Sequence, residues 1–166
     1  MLFRSGPNVA KLFEDSRGHV WMSGDNAVAM FDGQRLQQLG AGHGLPLKSA
    51  QGFAEDSQGR VWLSNGRGVF RQEQEVRFIE VRTDAGEPIQ NVTCLYVDPE
   101  GCVWMGAYDQ GLLCWKNGAL TQFRLETDFP ANDIRSMIAD NDGSLWMTSS
   151  RRSEEHTSEL QSRITI

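Results

Sequence analysis

Four aspartates recur along the chain, and each is followed by a glycine three residues later and a tryptophan six residues later. Carboxylates at a repeated spacing could either bind calcium or accept backbone N–H groups within turns. The stretch DNDG, Asp140 to Gly143, is similar to the start of a calcium loop, but its twelfth position holds Arg151 and not glutamate. We therefore expect the aspartates to cap turns. They are Asp15, Asp56, Asp98 and Asp140.

Histidine is the next residue type that could carry chemistry. His19 follows a turn glycine, His43 lies in a glycine-rich loop and His156 lies in the last segment of the chain. None of them has the Ser/His/Asp or Cys/His spacing of a nucleophilic site. We expect no catalytic residue, no metal and no cofactor in this segment.

The three cysteines have neither CxxC nor Cys/His metal spacing. If Val97 pairs with Cys102 across a hairpin turn, Cys94 faces Met105, and Cys114 lies on a third strand about 9.5 Å away from Cys94. No two cysteines are then direct partners, so this register predicts three unpaired thiols.

The aspartates, glycines and tryptophans define an internal repeat. Successive tryptophans are 41, 42 and 42 residues apart, and the glycines keep the same intervals. The tryptophans are Trp21, Trp62, Trp104 and Trp146, and the glycines are Gly18, Gly59, Gly101 and Gly143.

Each repeat predicts a small antiparallel sheet. A short apolar segment precedes D-x-x-G and a Val-Trp or Leu-Trp segment follows it, which indicates a hairpin with the glycine at positive φ. Two further strand-like segments complete the period, and no segment has the periodicity of a helix. Four strands repeated every 40 to 45 residues are typical of a β-propeller blade. The repeat tryptophans are expected to pack between blades.

Composition excludes some classes of protein. The chain has 166 residues with 39% hydrophobic content and a net charge of −6, and its basic residues are scattered. We therefore expect no nucleic-acid partner. No run approaches the length of a membrane helix, so we expect no membrane contact by this segment, and the N-terminus lacks the pattern of a secretory signal.

The combination of D-x-x-G-x-[LV]-W with preceding loops such as GHGLPLKSA and TDFPANDI resembles the two-component regulator propeller repeat, over residues 8 to 150. The resemblance implies a periplasmic sensor propeller, upstream of a membrane span and a histidine kinase or diguanylate cyclase domain. It implies a noncatalytic segment whose parent could be a homodimer.

One rim of the expected propeller carries variable polar residues in the loops between second and third strands. Such hydrogen-bonding groups with one aromatic suit a small polar ligand, for example a carbohydrate. Solvated turn residues are the alternative explanation. The candidates are Asp25, Asn26, Asn65, Arg67, Tyr108 and Asp109.

Two other functions stay open at this point. The propeller could belong to an enzyme, such as a lyase or hydrolase, which would require a carboxylate or metal cluster at the channel. It could also be a protein-interaction scaffold, because fold alone does not decide function.

The expected fold class is all-β: a partial β-propeller with three four-stranded antiparallel blades and the first hairpin of a fourth. We divide residues 1–150 into repeats at 8–48, 49–90, 91–132 and 133–150. The remaining blades of a parent chain are expected partners, and the isolated segment is expected to be marginally stable. Residues 151–166 resemble the translation of a sequencing adapter and are expected to be non-native, disordered or weakly helical.

Overall fold

The computed structural model describes residues 9–46, 48–108, 110–123, 134–140, 144–153 and 156–165, with side chains as far as residue 149. These residues form four antiparallel sheets in chain order. The all-β class and the propeller-like arrangement are therefore as predicted. The described residues contain no helix that is long and apolar enough to cross a membrane.

Each sheet is a meander whose strands pair in sequence order. The first sheet contains β1 (Val9–Glu14), β2 (Val20–Gly24), β3 (Ala27–Phe31) and β4 (Leu36–Leu39). The second contains β5 (Gly52–Glu55), β6 (Val61–Asn65), β7 (Gly68–Gln74) and β8 (Arg77–Val81). The third contains β9 (Val92–Val97), β10 (Val103–Ala107), β11 (Gly111–Lys116) and β12 (Ala119–Phe123), and the fourth contains β13 (Ile134–Ala139), β14 (Ser144–Ser153) and β15 (His156–Thr165).

The first strands of the sheets lie together at the centre of the molecule. Strand β5 contacts β1 and β9, and β9 contacts β13. Each sheet therefore extends outward from a shared axis with its first strand innermost, as the blades of a propeller do.

The sheets pack on one another through a repeated apolar interface. We name the side of a sheet that carries its repeat tryptophan the tryptophan face, and the other side the reverse face. Trp21 of the first sheet meets the edge of Phe78 in the second, with ring centroids 5.8 Å apart. Trp62 of the second sheet meets Trp115 of the third at 5.1 Å. The tryptophan face of one sheet thus packs on the reverse face of the next.

The β9–β10 register differs by one residue from the prediction. Val97 pairs with Val103, not with Cys102, and Cys94 faces Gly106, not Met105. The reason lies in the turn, where the Asp98 N–H donates to the Cys102 carbonyl oxygen at 3.0 Å. This bond makes Cys102 the last residue of the loop. The strand pairing therefore begins with Val97 and Val103, and every pair of the ladder is shifted by one residue from the prediction.

The prediction of three unpaired thiols is wrong, because Cys102 and Cys114 form a disulfide. In the observed register Cys114 pairs with Trp104, so Cys102 is its diagonal neighbour two residues away on the same face. The two Cα atoms are 5.9 Å apart, within the range that a disulfide spans. Cys94 is the free cysteine, and it is buried.

The expectation for the C-terminal segment is also wrong in its local structure. The described parts of residues 151–166 are strand, because β14 continues to Ser153 and β15 pairs with it along its length. The predicted hairpin of the fourth sheet is present as β13 and β14, and β15 joins it as a third strand. Pairing with β14 satisfies backbone groups that an isolated polar segment would leave to water. The non-native origin of this segment stays a prediction.

Candidate functional site

The repeated aspartates organise the turns between the first two strands. In the first sheet, Asp15 Oδ1 accepts the N–H groups of Arg17 at 3.0 Å and His19 at 2.9 Å. Gly18, with φ of +80°, donates its N–H to the Asp15 carbonyl oxygen at 2.9 Å. The predicted roles of aspartate and glycine are confirmed in this turn.

The next two sheets repeat this turn. Asp56 Oδ1 accepts from Gln58 and Arg60, each at 3.0 Å, and Asp98 Oδ1 accepts from Cys102 at 2.9 Å. Gly59 and Gly101 also have positive φ, of +71° and +81°. The fourth glycine, Gly143, lies outside the described residues.

The second carboxylate oxygen of each aspartate accepts the indole N–H of the repeat tryptophan, a contact that the sequence analysis missed. The four Nε1 to Oδ2 distances lie between 2.8 and 3.1 Å. The constant spacing of six residues between the two residue types was the signal that could have predicted it. The pairs are Trp21 with Asp15, Trp62 with Asp56, Trp104 with Asp98, and Trp146 with Asp140.

These bonds favour the ionised carboxylate. Burial alone would raise the pKa of Asp15, but the hydrogen bonds from Trp21, His19 and Arg17 outweigh it and lower the pKa below its usual value. The pKa of Asp56 is lowered in the same way, against burial, by bonds from Trp62 and Arg60. Both aspartates therefore act in the turns as charged acceptors, which gives them a structural role.

Five of the six candidate ligand residues are described, and they lie in or beside the loops between second and third strands. Asp25 and Asn26 are exposed, and the Asn26 N–H donates to Ser49 Oγ at 3.1 Å. Tyr108 is 47% exposed, and its N–H donates to the Asn91 carbonyl oxygen at 2.8 Å.

Asn65 and Arg67 belong to one turn. The Asn65 side chain is buried, and its Oδ1 accepts the N–H groups of Arg67 at 2.9 Å and Gly68 at 3.1 Å, so it caps its own turn. Arg67 itself is exposed. Asp109 lies outside the described residues. A shared ligand site formed by these rim residues stays a prediction.

A groove at the propeller axis brings together side chains from all four sheets. It encloses about 170 Å³ and runs along the first strands β1, β5, β9 and β13. We name it the axial groove. Its polar and cationic lining comes from Lys11, Gln51, Arg135 and Ser136, and its apolar lining from Leu12, Phe13, Phe53, Leu95 and Met137.

The two phenylalanines of the axial groove form one aromatic surface. Phe13 of the first sheet and Phe53 of the second are stacked, with ring centroids 6.1 Å apart and planes 11° from parallel. Cys94 lines the same groove, and burial raises the pKa of its thiol to about 11 although Lys11 opposes this shift. Cys94 is therefore neutral at physiological pH and acts as an apolar wall.

Sequence reasoning missed the axial groove because its residues do not repeat. The position four residues before the repeat aspartate holds Lys11, Gly52, Cys94 and Ser136 in turn. This variation four residues before an aspartate that is the same in every repeat was the available signal. The groove emerges only when the four strands meet at the axis.

A second cavity lies at the opposite end of the inner strands, beside the aspartate turns of the second and third sheets. It encloses about 430 Å³ and is bordered by Glu55, Ser57, Tyr96 and Pro99 among others. The Glu55 carboxylate is already held by Ser16 of the first sheet, whose N–H and hydroxyl each donate at 2.7 Å. Glu55 therefore links two sheets. Across the described residues, no three His, Cys, Asp or Glu side chains are grouped to hold a metal ion.

The family model of the two component regulator propeller matches residues 86–109 and 128–151. Two segments of this chain therefore match the two component regulator propeller repeat. The matched segments include the Asp98 and Asp140 turns described above, together with the loops that precede them. No curated protein sequence matches the chain.

Solved structures with the same fold include sensor domains and an enzyme. The chain superposes on the extracellular domain of a hybrid two component system from B. thetaiotaomicron with a TM-score of 0.72 and 19% identity, over 90% of this chain and 22% of that one. It superposes on virginiamycin B lyase from Staphylococcus aureus with a TM-score of 0.72 and 18% identity, over 99% of this chain and 58% of that one. At these identities the likeness establishes the fold alone.

A one component system from B. thetaiotaomicron has a similar extracellular domain, with a TM-score of 0.67 and 16% identity over 96% of this chain. The match covers 26% of that domain. This chain therefore spans about a quarter of the two sensor domains and little more than half of the lyase.

Proposed function

We propose that this chain is a ligand-sensing segment of a β-propeller in a bacterial signal-transduction receptor, and that the segment is noncatalytic. The regulator propeller repeats support this proposal, since their name links them to two-component regulation. The extracellular sensor domains among the structural neighbours support it further. The histidine kinase or diguanylate cyclase output would lie elsewhere in the parent protein.

The axial groove is the observation that carries the proposal. It is formed jointly by the first strands of all four sheets, so a ligand bound there would contact every blade at once. A small ligand could then change how the blades sit against one another, which is what a sensor must convert into a signal.

The lining of the axial groove favours a small polar ligand that is rich in hydrogen-bond acceptors. Lys11 and Arg135 are cationic donors, and Gln51 adds an amide that both donates and accepts. The stacked rings of Phe13 and Phe53 offer an apolar surface beside them. A carbohydrate combines such acceptors with an apolar ring face, and we propose a carbohydrate as the ligand class.

We propose a periplasmic location for this segment. The two sensor domains that share its fold are described as extracellular, and a propeller that samples external solutes must lie outside the inner membrane. Within the parent chain, further blades would continue the propeller beyond the four sheets described here, and the parent could be a homodimer.

A glycan array of neutral and acidic oligosaccharides, followed by isothermal titration of the strongest binder, tests the proposal. Lys11→Ala should weaken binding at least about tenfold, because it removes a charged donor from the groove. Lys116→Ala is the matched control, since Lys116 is a partly exposed lysine on β11 that lies beside Glu100, away from the groove.

The array distinguishes the axial groove from the rim. If Lys11→Ala leaves the affinity unchanged while Arg67→Ala lowers it, the ligand site is the predicted rim and the groove assignment is wrong. If no oligosaccharide binds the folded chain, the carbohydrate proposal fails.

A further inference from the structure

The axial groove has two facing walls that come from the first and the second sheet. Phe13 of β1 and Phe53 of β5 are stacked across it. Because side chains alternate along a strand, Lys11 lies on the same face of β1 as Phe13. Gln51 directly precedes β5 and extends its ladder, since its N–H donates to the Ser64 carbonyl oxygen at 2.7 Å. Each wall thus carries a polar side chain two residues before its aromatic ring.

The charge of the axial groove is positive. Among the described residues that line it, Lys11 and Arg135 are cationic and none is an aspartate or glutamate. Lys11 forms no ion pair with a described carboxylate, unlike Arg60 and Lys116. Its charge opposes the rise in the pKa of the Cys94 thiol, so it acts across the groove on the wall formed by the third sheet. Lys11 therefore offers a ligand a charge that no described carboxylate neutralises.

We propose that the axial groove selects a saccharide with an acidic group, such as a uronic acid, over a neutral one, and that Lys11 sets this preference. The inference rests on the proposed carbohydrate-binding function and adds the charge of the ligand to it. The apolar face of a sugar ring packs on Phe13 and Phe53, and the Lys11 ammonium donates to the acidic group. Gln51 donates to a neighbouring hydroxyl from the opposite wall.

The spacing along the strand suits such a ligand. Two residues of a strand that lie on the same face are about 7 Å apart. A hexuronic acid carries its carboxylate on the carbon that projects from the ring, so a ring on Phe13 extends its carboxylate toward Lys11. A charge-assisted hydrogen bond is roughly twice as strong as a neutral one. The carboxylate therefore gains more from Lys11 than the hydroxymethyl group of a neutral hexose does.

The net charge of the chain makes this preference a property of the groove. The chain carries a net charge of −6, so the protein as a whole repels an acidic ligand. Tighter binding of an acidic sugar than of its neutral counterpart then requires a local cation.

Isothermal titration of the full 166-residue chain with two matched disaccharides tests the proposal. Cellobiose and cellobiouronic acid differ at one carbon, which is a hydroxymethyl group in the first and a carboxylate in the second. The wild-type chain should bind the acid about tenfold more tightly. Raising NaCl from about 0.01 M to about 1 M shortens the Debye length from about 30 Å to about 3 Å. This change should remove most of the advantage and leave the affinity for cellobiose unchanged.

Three variants assign the preference to the charge of Lys11, which is an exposed residue whose replacement should not prevent folding. Lys11→Gln keeps a long polar side chain without the charge, so the affinity for the acid should fall to that for cellobiose. Lys11→Arg keeps the charge and should keep the preference. Lys116→Gln changes the net charge by the same amount away from the groove and should behave like wild type.

A fourth variant separates the aromatic surface from the charge. Phe53→Leu removes part of the stacked pair, so it should weaken both disaccharides by the same factor and leave the ratio of their affinities unchanged. Phe53 also packs against the core of the first two sheets, so circular dichroism would verify that this variant is folded.

The outcomes distinguish this inference from the proposed function. If the chain binds cellobiose as tightly as the acid, the preference is wrong and the carbohydrate proposal stands. If Lys11→Gln keeps the preference, a different cation sets it and the role given to Lys11 is wrong. A chain that binds neither disaccharide refutes the inference as well, and the glycan array then decides the proposed function separately.

Discussion

The second and fourth sheets contain the same aspartate and tryptophan pair in different surroundings. Trp62 donates its indole N–H to Asp56 at 2.9 Å, and Trp146 donates to Asp140 at 3.1 Å. Yet Trp62 is almost fully buried, whereas more than a third of Trp146 is exposed. The difference is that the third sheet covers Trp62 with Trp115, while no further described sheet follows Trp146.

This comparison separates two contributions to the fold. The hydrogen bond spans six residues of one hairpin, so it forms wherever the local turn forms. Burial of the ring requires a neighbouring sheet, and it is burial that supplies most of the stabilisation, at roughly 25 cal/mol per Å² of apolar surface. The repeated turn therefore defines each hairpin, and the packing of successive sheets stabilises the propeller.

The largest expected effect is the removal of a covered tryptophan. Trp62→Ala should lower the free energy of unfolding by about 3–5 kcal/mol, as large aromatic truncations in cores do. Trp146→Ala should cost less than about half of that, since its ring is partly solvated. Urea unfolding followed by circular dichroism measures both. Equal costs would contradict the comparison.

The disulfide should give the next largest effect, in the third sheet. Reduction, or the double substitution Cys102→Ser and Cys114→Ser, should lower the free energy of unfolding by about 3 kcal/mol, because the bond restricts the unfolded chain. In the second sheet the equivalent positions hold Arg60 and Arg71, so that sheet has no disulfide for a reductant to break.

Mass spectrometry checks the pairing itself. Alkylation in denaturant without reductant should add one group, at Cys94, and alkylation after reduction should add three. Three adducts without reductant would mean that the original expectation of free thiols was correct.

The turn carboxylate should have a smaller, pH-dependent effect. Asp56→Ala should cost about 1–3 kcal/mol at neutral pH, because it leaves the partly buried N–H groups of Arg60 and Trp62 without an acceptor. Since the folded pKa of Asp56 lies below its unfolded value of 3.8, the contribution is complete above about pH 4 and is lost as the pH falls through the folded pKa. In urea titrations at several pH values, the free energies of unfolding of wild type and variant should converge at acidic pH. If their difference stays constant down to low pH, Asp56 does not act as an ionised acceptor.

The smallest expected effect on the free energy of unfolding comes from replacing a turn glycine. Gly18→Ala should cost roughly 1 kcal/mol, since φ is +80° there and an added Cβ would meet no atom within 4 Å, so that only backbone strain contributes. Gly66→Ala is the control, because its surroundings are equally open and its φ is not positive. Urea unfolding should give a near-zero change for Gly66→Ala, and equal costs at the two sites would show that positive φ is not the cause.

Several features of the fold could be predicted from single repeats. The D-x-x-G turns, the four-stranded sheets and their order along the chain all follow from residues within one period, where turn chemistry and strand preference act locally. The errors arose where one residue of register mattered. The Asp98 bond to Cys102 shifted the strand pairing and brought Cys102 beside Cys114.

The candidate site was less predictable than the fold. The rim residues were chosen from loop positions, and Asn65 is buried in its own turn although it was expected among the ligand contacts. The axial groove was missed, because Lys11, Gln51 and Arg135 are far apart in the chain and resemble ordinary strand residues.

The amino-acid sequence alone therefore defines the repeat, its hairpin turn and the position of the aspartate and tryptophan in it, because all of these interactions lie within seven consecutive residues. The tertiary structure decides which tryptophan is covered, which cysteines meet and which side chains line the axis. Those outcomes depend on how one sheet packs against the next, and the energy of that packing comes from surfaces that no single repeat contains.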